Sequence, residues 1–181
     1  AVTEGLFMAS RDGKNFRVWE EAFIRPGPRT QNAWFYGDGY QALNLVETKS
    51  SVAADAPDEL SMYSPEAGKQ NGRGIELRRY TLRLDGFVSI SAPMSGGTLT
   101  TKPLAFDGTK LTLNVSTSAR GGVRVGIVDA DGNPVAGYSL EDCPWIYGDF
   151  LDREVEWKRG DGVDDVTTDV SPLAGKPVRL V

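Results

Sequence analysis

Apolar and polar residues alternate along this chain in short runs, and Gly or Pro interrupts them about once every six residues. No window keeps apolar residues at i, i+3, i+4 and i+7 for three turns without such a break, so any helix is limited to one or two turns. The second half carries the clearer pattern. Leu82 to Ile90 alternates, Gly96-Gly97 turns the chain into Thr98 to Pro103, and Lys110 to Ser116 alternates again with Leu111, Leu113 and Val115 on one face. Val123 to Val128 and Pro134 to Leu140 read as a hairpin around Asp129 to Asn133, where Asp131-Gly132 supplies the positive-φ turn. Arg153 to Trp157 and Val178 to Val181 read as two more strands, separated by the acidic loop Gly160 to Asp169. Many short antiparallel strands at this spacing predict an all-β fold, an antiparallel β-sandwich or jelly roll.

The first 80 or so residues have a different texture. Leu6 to Ala9 and Phe16 to Trp19 flank a turn at Ser10 to Phe16, and a long aromatic loop runs from Pro26 to Tyr40. Ala42 to Thr48 and Glu59 to Ser64 follow as strands, and Leu77 to Leu82 leads into the second half. Four strand candidates in order amount to about one blade of a β-propeller, with no internal repeat. The expected division is a blade-like segment at 1–81 and a sandwich at 82–181.

Composition removes several chemistries. The 181 residues contain no His and one Cys, so neither a Ser-His-Asp nor a Cys-His relay can form, no His-ligated or Cys-rich metal site is available, and no intrachain disulfide exists. Carboxylates, Lys and Tyr are left for acid-base work. A formal charge of -5 disfavours a nucleic-acid partner, whereas a neutral polar ligand such as a sugar is compatible with it. No run approaches the roughly 18 apolar residues of a membrane span, and Ala1 to Gly5 has none of the regions of a signal peptide, so any export signal is expected to have been removed already.

The strings SRDGKNFRVWEEAFIRPG (Ser10 to Gly27), YGDGYQALNLVET (Tyr36 to Thr48), ELSMY (Glu59 to Tyr63), LRRYTLRLDGFVSI (Leu77 to Ile90) and GGTLTTKPLAF (Gly96 to Phe106) span nearly the whole chain. Together they resemble the C-terminal part of bacterial proteins related to glycoside hydrolase families 32 and 43. The resemblance implies a five-bladed propeller paired with a C-terminal sandwich, of which this chain would hold the last blade and the sandwich. The Asn-Asp-Pro-Asn type segment that carries the nucleophile in family 32 is absent, as are the earlier blades. The chain also stops at Leu180-Val181, where the family continues. It is therefore expected to be a truncated or excised module.

Three groups of residues are candidates for chemistry. Glu141-Asp142-Cys143-Pro144 resembles the Glu-Cys-Pro segment that holds the acid/base Glu in family 32, with an Asp inserted; the competing reading is a loop at the sandwich edge. A glycosidase needs two carboxylates flanking the scissile bond, about 5 Å or about 6.5–9.5 Å apart. Asp149, Asp152, Glu154 and Glu156 are further acids, the last two alternating as a solvated strand face does. Asp38 and Glu47 sit in and beside the Gly-rich segment of the first half, where a propeller would aim carboxylates at its axis, and Glu47 joins Glu141 and Asp142 as a catalytic candidate. The second group is aromatic. Trp34, Tyr36 and Tyr40, with Asp38 beside them, and Trp145 with Tyr147, stand in loops where their rings suit the apolar C–H faces of sugars. Phe35 belongs to the same run, while Trp157, alternating with Val155, is assigned to the core. The third group is acidic: Asp161, Asp164, Asp165 and Asp169 could hold Ca²⁺, whereas Asp129, Asp131 and Asn133 fit a hairpin better than a calcium loop, which would need a Glu at its twelfth position.

These readings converge on a carbohydrate-associated β-sandwich module that binds an oligo- or polysaccharide through loop aromatics and acids, with no cofactor beyond a possible Ca²⁺. The alternatives are a small stand-alone glycoside hydrolase using two carboxylates and a structural or oligomerising domain. The expected partners are the glycan and either a second copy or a missing propeller domain, and a glycan-binding role favours a secreted or periplasmic setting.

Overall fold

The computed structural model describes residues 2–27, 34, 36–66, 76–160 and 165–181. The chain is all-β, built of several antiparallel sheets, and the helical element among the described residues is a single 3-10 turn at Ser171–Leu173. It divides into two compact units, Ala1–Ser89 and Ile90–Val181.

In the first unit β1 (Gly5–Ala9) pairs with β2 (Arg17–Ile24) around the turn read from the sequence. The Asp12 carboxylate makes that turn: Oδ1 accepts from the amides of Lys14 and Asn15 at 2.8 Å and from Ser10 Oγ at 2.9 Å, while Oδ2 accepts from Asn15 Nδ2 at 2.7 Å. The two faces of the ribbon differ. Phe7 packs 5.0 Å from Trp19 and 5.5 Å from Phe23, and Phe87 stacks on Phe7 at 5.2 Å; Leu6, Met8 and Val18 on the other face are exposed. β3 (Tyr36–Gly39) forms inside the expected aromatic loop, its Gly37 and Gly39 both at positive φ, 105° and 79°. β4 (Val46–Thr48), β5 (Glu59–Glu66) and β6 (Glu76–Arg83) make a three-stranded antiparallel sheet. A polar cluster crosses it: Arg79 Nε donates to the fully buried Ser61 Oγ at 2.7 Å, and its Nη2 donates to Thr48 Oγ1 and Glu59 Oε1, both at 2.8 Å. With a paired guanidinium and a satisfied hydroxyl, this burial incurs little desolvation penalty.

The second unit holds three two-stranded ladders. β7 (Thr112–Ser116) pairs with β9 (Asp149–Glu154), β8 (Ile127–Asp129) with β12 (Val178–Leu180), and β10 (Trp157–Lys158) with β11 (Val166–Thr167). Alternation sends Leu113 and Val115 of β7, Ile127 of β8 and Val178 of β12 into one sandwich-like core around Trp157 and Val155, both fully buried. The assignment of Trp157 to the core therefore holds.

Several expected strands are corrected. Leu82 to Ile90 is not one strand: β6 ends at Arg83, and Asp85 at φ 54° with the Gly86 amide bonded to Arg83 O at 2.9 Å turns the chain there. The Asp-Gly pair overrides the alternation, and Phe87 is thereby delivered to Phe7. The two compact units meet between Ser89 and Ile90. Thr98 to Pro103 and Pro134 to Leu140 form no strand: Thr101 N donates to Leu180 O at 2.9 Å and its Oγ1 accepts from Leu180 N at 3.0 Å, while Val135 N donates to Ile127 O at 2.9 Å and Ile127 N to Tyr138 O at 2.8 Å. Ala42 to Thr48 is extended only from Val46, because Asn44 adopts φ 72°. Arg153 to Trp157 is interrupted after Glu154, the end of β9, and resumes at Trp157 in β10.

Candidate functional site

The segment Trp145–Tyr147 is held on both sides. Ile146 exchanges two backbone hydrogen bonds with Val123, at 3.0 and 2.9 Å, and beyond it Thr117 N donates to Gly148 O at 2.9 Å while Gly148 N donates to Thr117 Oγ1 at 2.9 Å. Ile146 is buried, so the period-2 geometry turns Trp145 and Tyr147 together to the opposite side. They are 53% and 56% exposed, with ring centroids 6.4 Å apart.

The antiparallel bridge between Val123 and Ile146 puts Arg124 across from Trp145 and Gly122 across from Tyr147. The Arg124 guanidinium carbon lies 4.6 Å from the centroid of the Trp145 ring. Gly122 forms the seat of both rings, since a Cβ there would stand 2.8 Å from Tyr147 Cε1 and 2.9 Å from Trp145 Cε3. Gly122 and Arg124 belong to this platform although no sequence pattern marked them. The available signal was alternation on two segments, Gly122 to Val125 and Trp145 to Tyr147, whose pairing a linear reading does not supply.

Glu141 and Asp142 lie elsewhere in the same unit. They line an open cleft of about 750 Å³ with Tyr138, Lys158, Arg159 and Pro172, and neither Trp145 nor Tyr147 reaches it. Between the acids and the aromatics in sequence stands Cys143, which is buried and accepts the Val125 amide on Sγ at 3.3 Å. Burial, the larger effect, pushes the Cys143 thiol above its ordinary pKa. Asp142 also closes a local turn: its Oδ2 accepts from Ser139 N at 3.2 Å and its amide donates to Ser139 Oγ at 3.3 Å. Glu154 forms an ion pair with Lys110 at 2.6 Å and Glu156 faces Arg153 at 3.9 Å.

In the first unit Tyr36 and Tyr40 meet edge-on at 6.3 Å, 70% and 49% exposed. Trp34, at φ 69°, donates its indole N–H to Gly27 O at 2.8 Å. Asp38 is half-buried in β3, and Glu47 is exposed on β4 opposite Leu60. Phe35 lies outside the described residues.

Asp129 behaves as a turn builder. Its Oδ1 accepts the amides of Asp131 and Asn133 at 2.9 and 2.8 Å and its Oδ2 the Asn133 Nδ2 at 3.0 Å, which holds the carboxyl below its ordinary pKa. Gly132, at φ 94°, provides the positive-φ position of the hairpin. Of the acidic loop, Asp161 and Asp164 lie outside the described residues, and Asp169 uses Oδ1 to accept the Ser171 amide at 2.8 Å. Among the described residues no three acidic or Cys side chains form a metal-binding group, and no helix is long and apolar enough to cross a membrane. Compared with family models, curated proteins and solved structures, the chain has no match.

Proposed function

We propose that this chain is a carbohydrate-associated module of a glycosidase-like protein, and that its second unit binds glycan on the platform formed by Trp145, Tyr147 and Arg124. The observation that carries the reading is the pair of half-exposed rings 6.4 Å apart on a seat that only Gly122 leaves open. Aromatic side chains this large normally bury 150–250 Å² each in a core or an interface. Here they are fixed by the backbone and left open, which suits the apolar face of a sugar ring with little ordering cost. Isothermal titration against a panel of plant and microbial polysaccharides tests it. Binding should weaken by at least about tenfold in Trp145→Ala, the cost expected of a central anchor. Absence of heat with every glycan, or affinity untouched by that substitution, overturns the reading.

A second reading rests on the cleft. Glu141 and Asp142 share its wall with Lys158 and Arg159, and an open cleft of about 750 Å³ accommodates a saccharide beside two carboxylates. This is the stand-alone hydrolase, and reducing-sugar release by the purified protein tests it. The Glu141→Gln variant should lose that release; equal release by the two proteins removes Glu141 as acid/base.

A further inference from the structure

We infer that the platform selects acidic saccharides, with Arg124 pairing to the carboxylate of a uronic acid whose ring lies against Tyr147. This deepens the glycan-binding reading above and rests on it.

Arg25, Lys49, Arg78, Arg79, Lys110 and Arg153 stand in ion pairs, whereas among the described residues Arg124 has no carboxylate within 4.0 Å. Glu156 faces Arg153 at 3.9 Å. Arg124 thus brings a charge without a counter-ion among the described residues onto the face of the Trp145 ring.

Its position limits what can pair with it. A guanidinium resting on an indole retains its in-plane N–H donors, and that planar fork matches a carboxylate with two parallel hydrogen bonds. Guanidinium is also weakly hydrated, so the pairing carries a small desolvation penalty. With the guanidinium over one face of Trp145, 4.6 Å from its centroid, a pyranose ring stacked on the neighbouring Tyr147 ring, 6.4 Å away, would carry its C5 carboxylate at the margin toward that group. A neutral sugar offers hydroxyls alone and leaves the cation without a counter-charge. The chain's charge of -5 provides no long-range attraction for a polyanion, so discrimination must come from this local contact, within a Debye length of about 8 Å.

The experiment is calorimetric titration of the full chain with a galacturonate hexasaccharide, its fully methyl-esterified counterpart, a neutral cello-hexasaccharide and a sulfated galactan hexasaccharide. The acid should bind at least about tenfold tighter than its ester, the advantage of a charge-assisted bidentate pair. In Arg124→Gln that ratio should fall to near one, because the acid loses the pairing that the ester never makes. Arg124→Lys, which keeps the charge and loses the fork, should retain only part of it. Equal binding of acid and ester, or binding of the neutral hexasaccharide alone, overturns the acidic selectivity and leaves the glycan reading standing. Binding of the sulfated oligosaccharide with none of the uronate overturns the carboxylate assignment. No binding of any probe overturns both readings.

Discussion

Trp157 is the largest of the fully buried side chains, and its indole N–H donates to Val125 O at 2.8 Å while the ring meets Tyr138 edge-on at 5.3 Å. Replacing it separates packing from hydrogen bonding. Trp157→Ala should cost roughly 3–5 kcal/mol by cavity formation. Trp157→Phe retains most of the ring and strands the Val125 carbonyl, for a loss of about 1–3 kcal/mol. Denaturant unfolding of both variants checks the order; equal losses would mean that the hydrogen bond contributes nothing separable. Asp129 poses an electrostatic question at the same scale. Hydrogen bonds from Asn133 depress its pKa in the folded state, so their stabilisation is present above the unfolded value of about 3.9 and is lost as pH falls through the folded one. Asp129→Ala should therefore melt below the wild type at pH 7, and the gap should close as the pH is taken below about 4. A gap independent of pH would show that the turn does not depend on the carboxylate's charge.

Elements were legible in the sequence where their signal was local. The turns at Ser10 to Asn15 and at Asp129 to Asn133 are both written in side chains that bond to backbone two to four residues away, and both turns form as read, although Pro134 to Leu140 beyond the second forms no strand. Leu82 to Ile90 was misjudged for the same reason, because a local Asp-Gly signal outranks alternation over a few residues. The platform was only half legible. Trp145 and Tyr147 stand out as loop aromatics, but the pairing of Val123 with Ile146 that adds Arg124 and Gly122 spans 23 positions along the chain and follows from packing around the core. Asp142 looked catalytic beside Glu141, yet its bonds with Ser139 give it structural work that spacing alone does not reveal. The cross-strand origin of the platform yields its own prediction. Gly122→Ala places a methyl group less than 3.0 Å from both rings, so it should displace them and weaken glycan binding by about tenfold or more. Because both rings are half-exposed and lie outside the core, the melting temperature should change little; intact binding would show that the rings need no fixed seat.

Across the whole molecule the two units differ in how they are held. Among the described residues the buried apolar side chains of Ala1–Ser89 are Ile24 and Met62, whereas Ile90–Val181 buries ten residues in one cluster. Hydrophobic stabilisation follows buried area, so the first unit should open at lower free energy than the second. Hydrogen-exchange mass spectrometry checks this: amides of β1 and β2 should exchange well before those of Val125 to Ile127, and simultaneous exchange would mean that the units unfold as one. The lone thiol offers a way to watch one side of that contest. Cys143 is the chain's single Cys, sits in the second unit's core, and is poorly disposed to ionise. A thiol-reactive dye can modify it only when that core opens, so the labelling rate of the native protein is a clock for the second unit, running without any engineered probe.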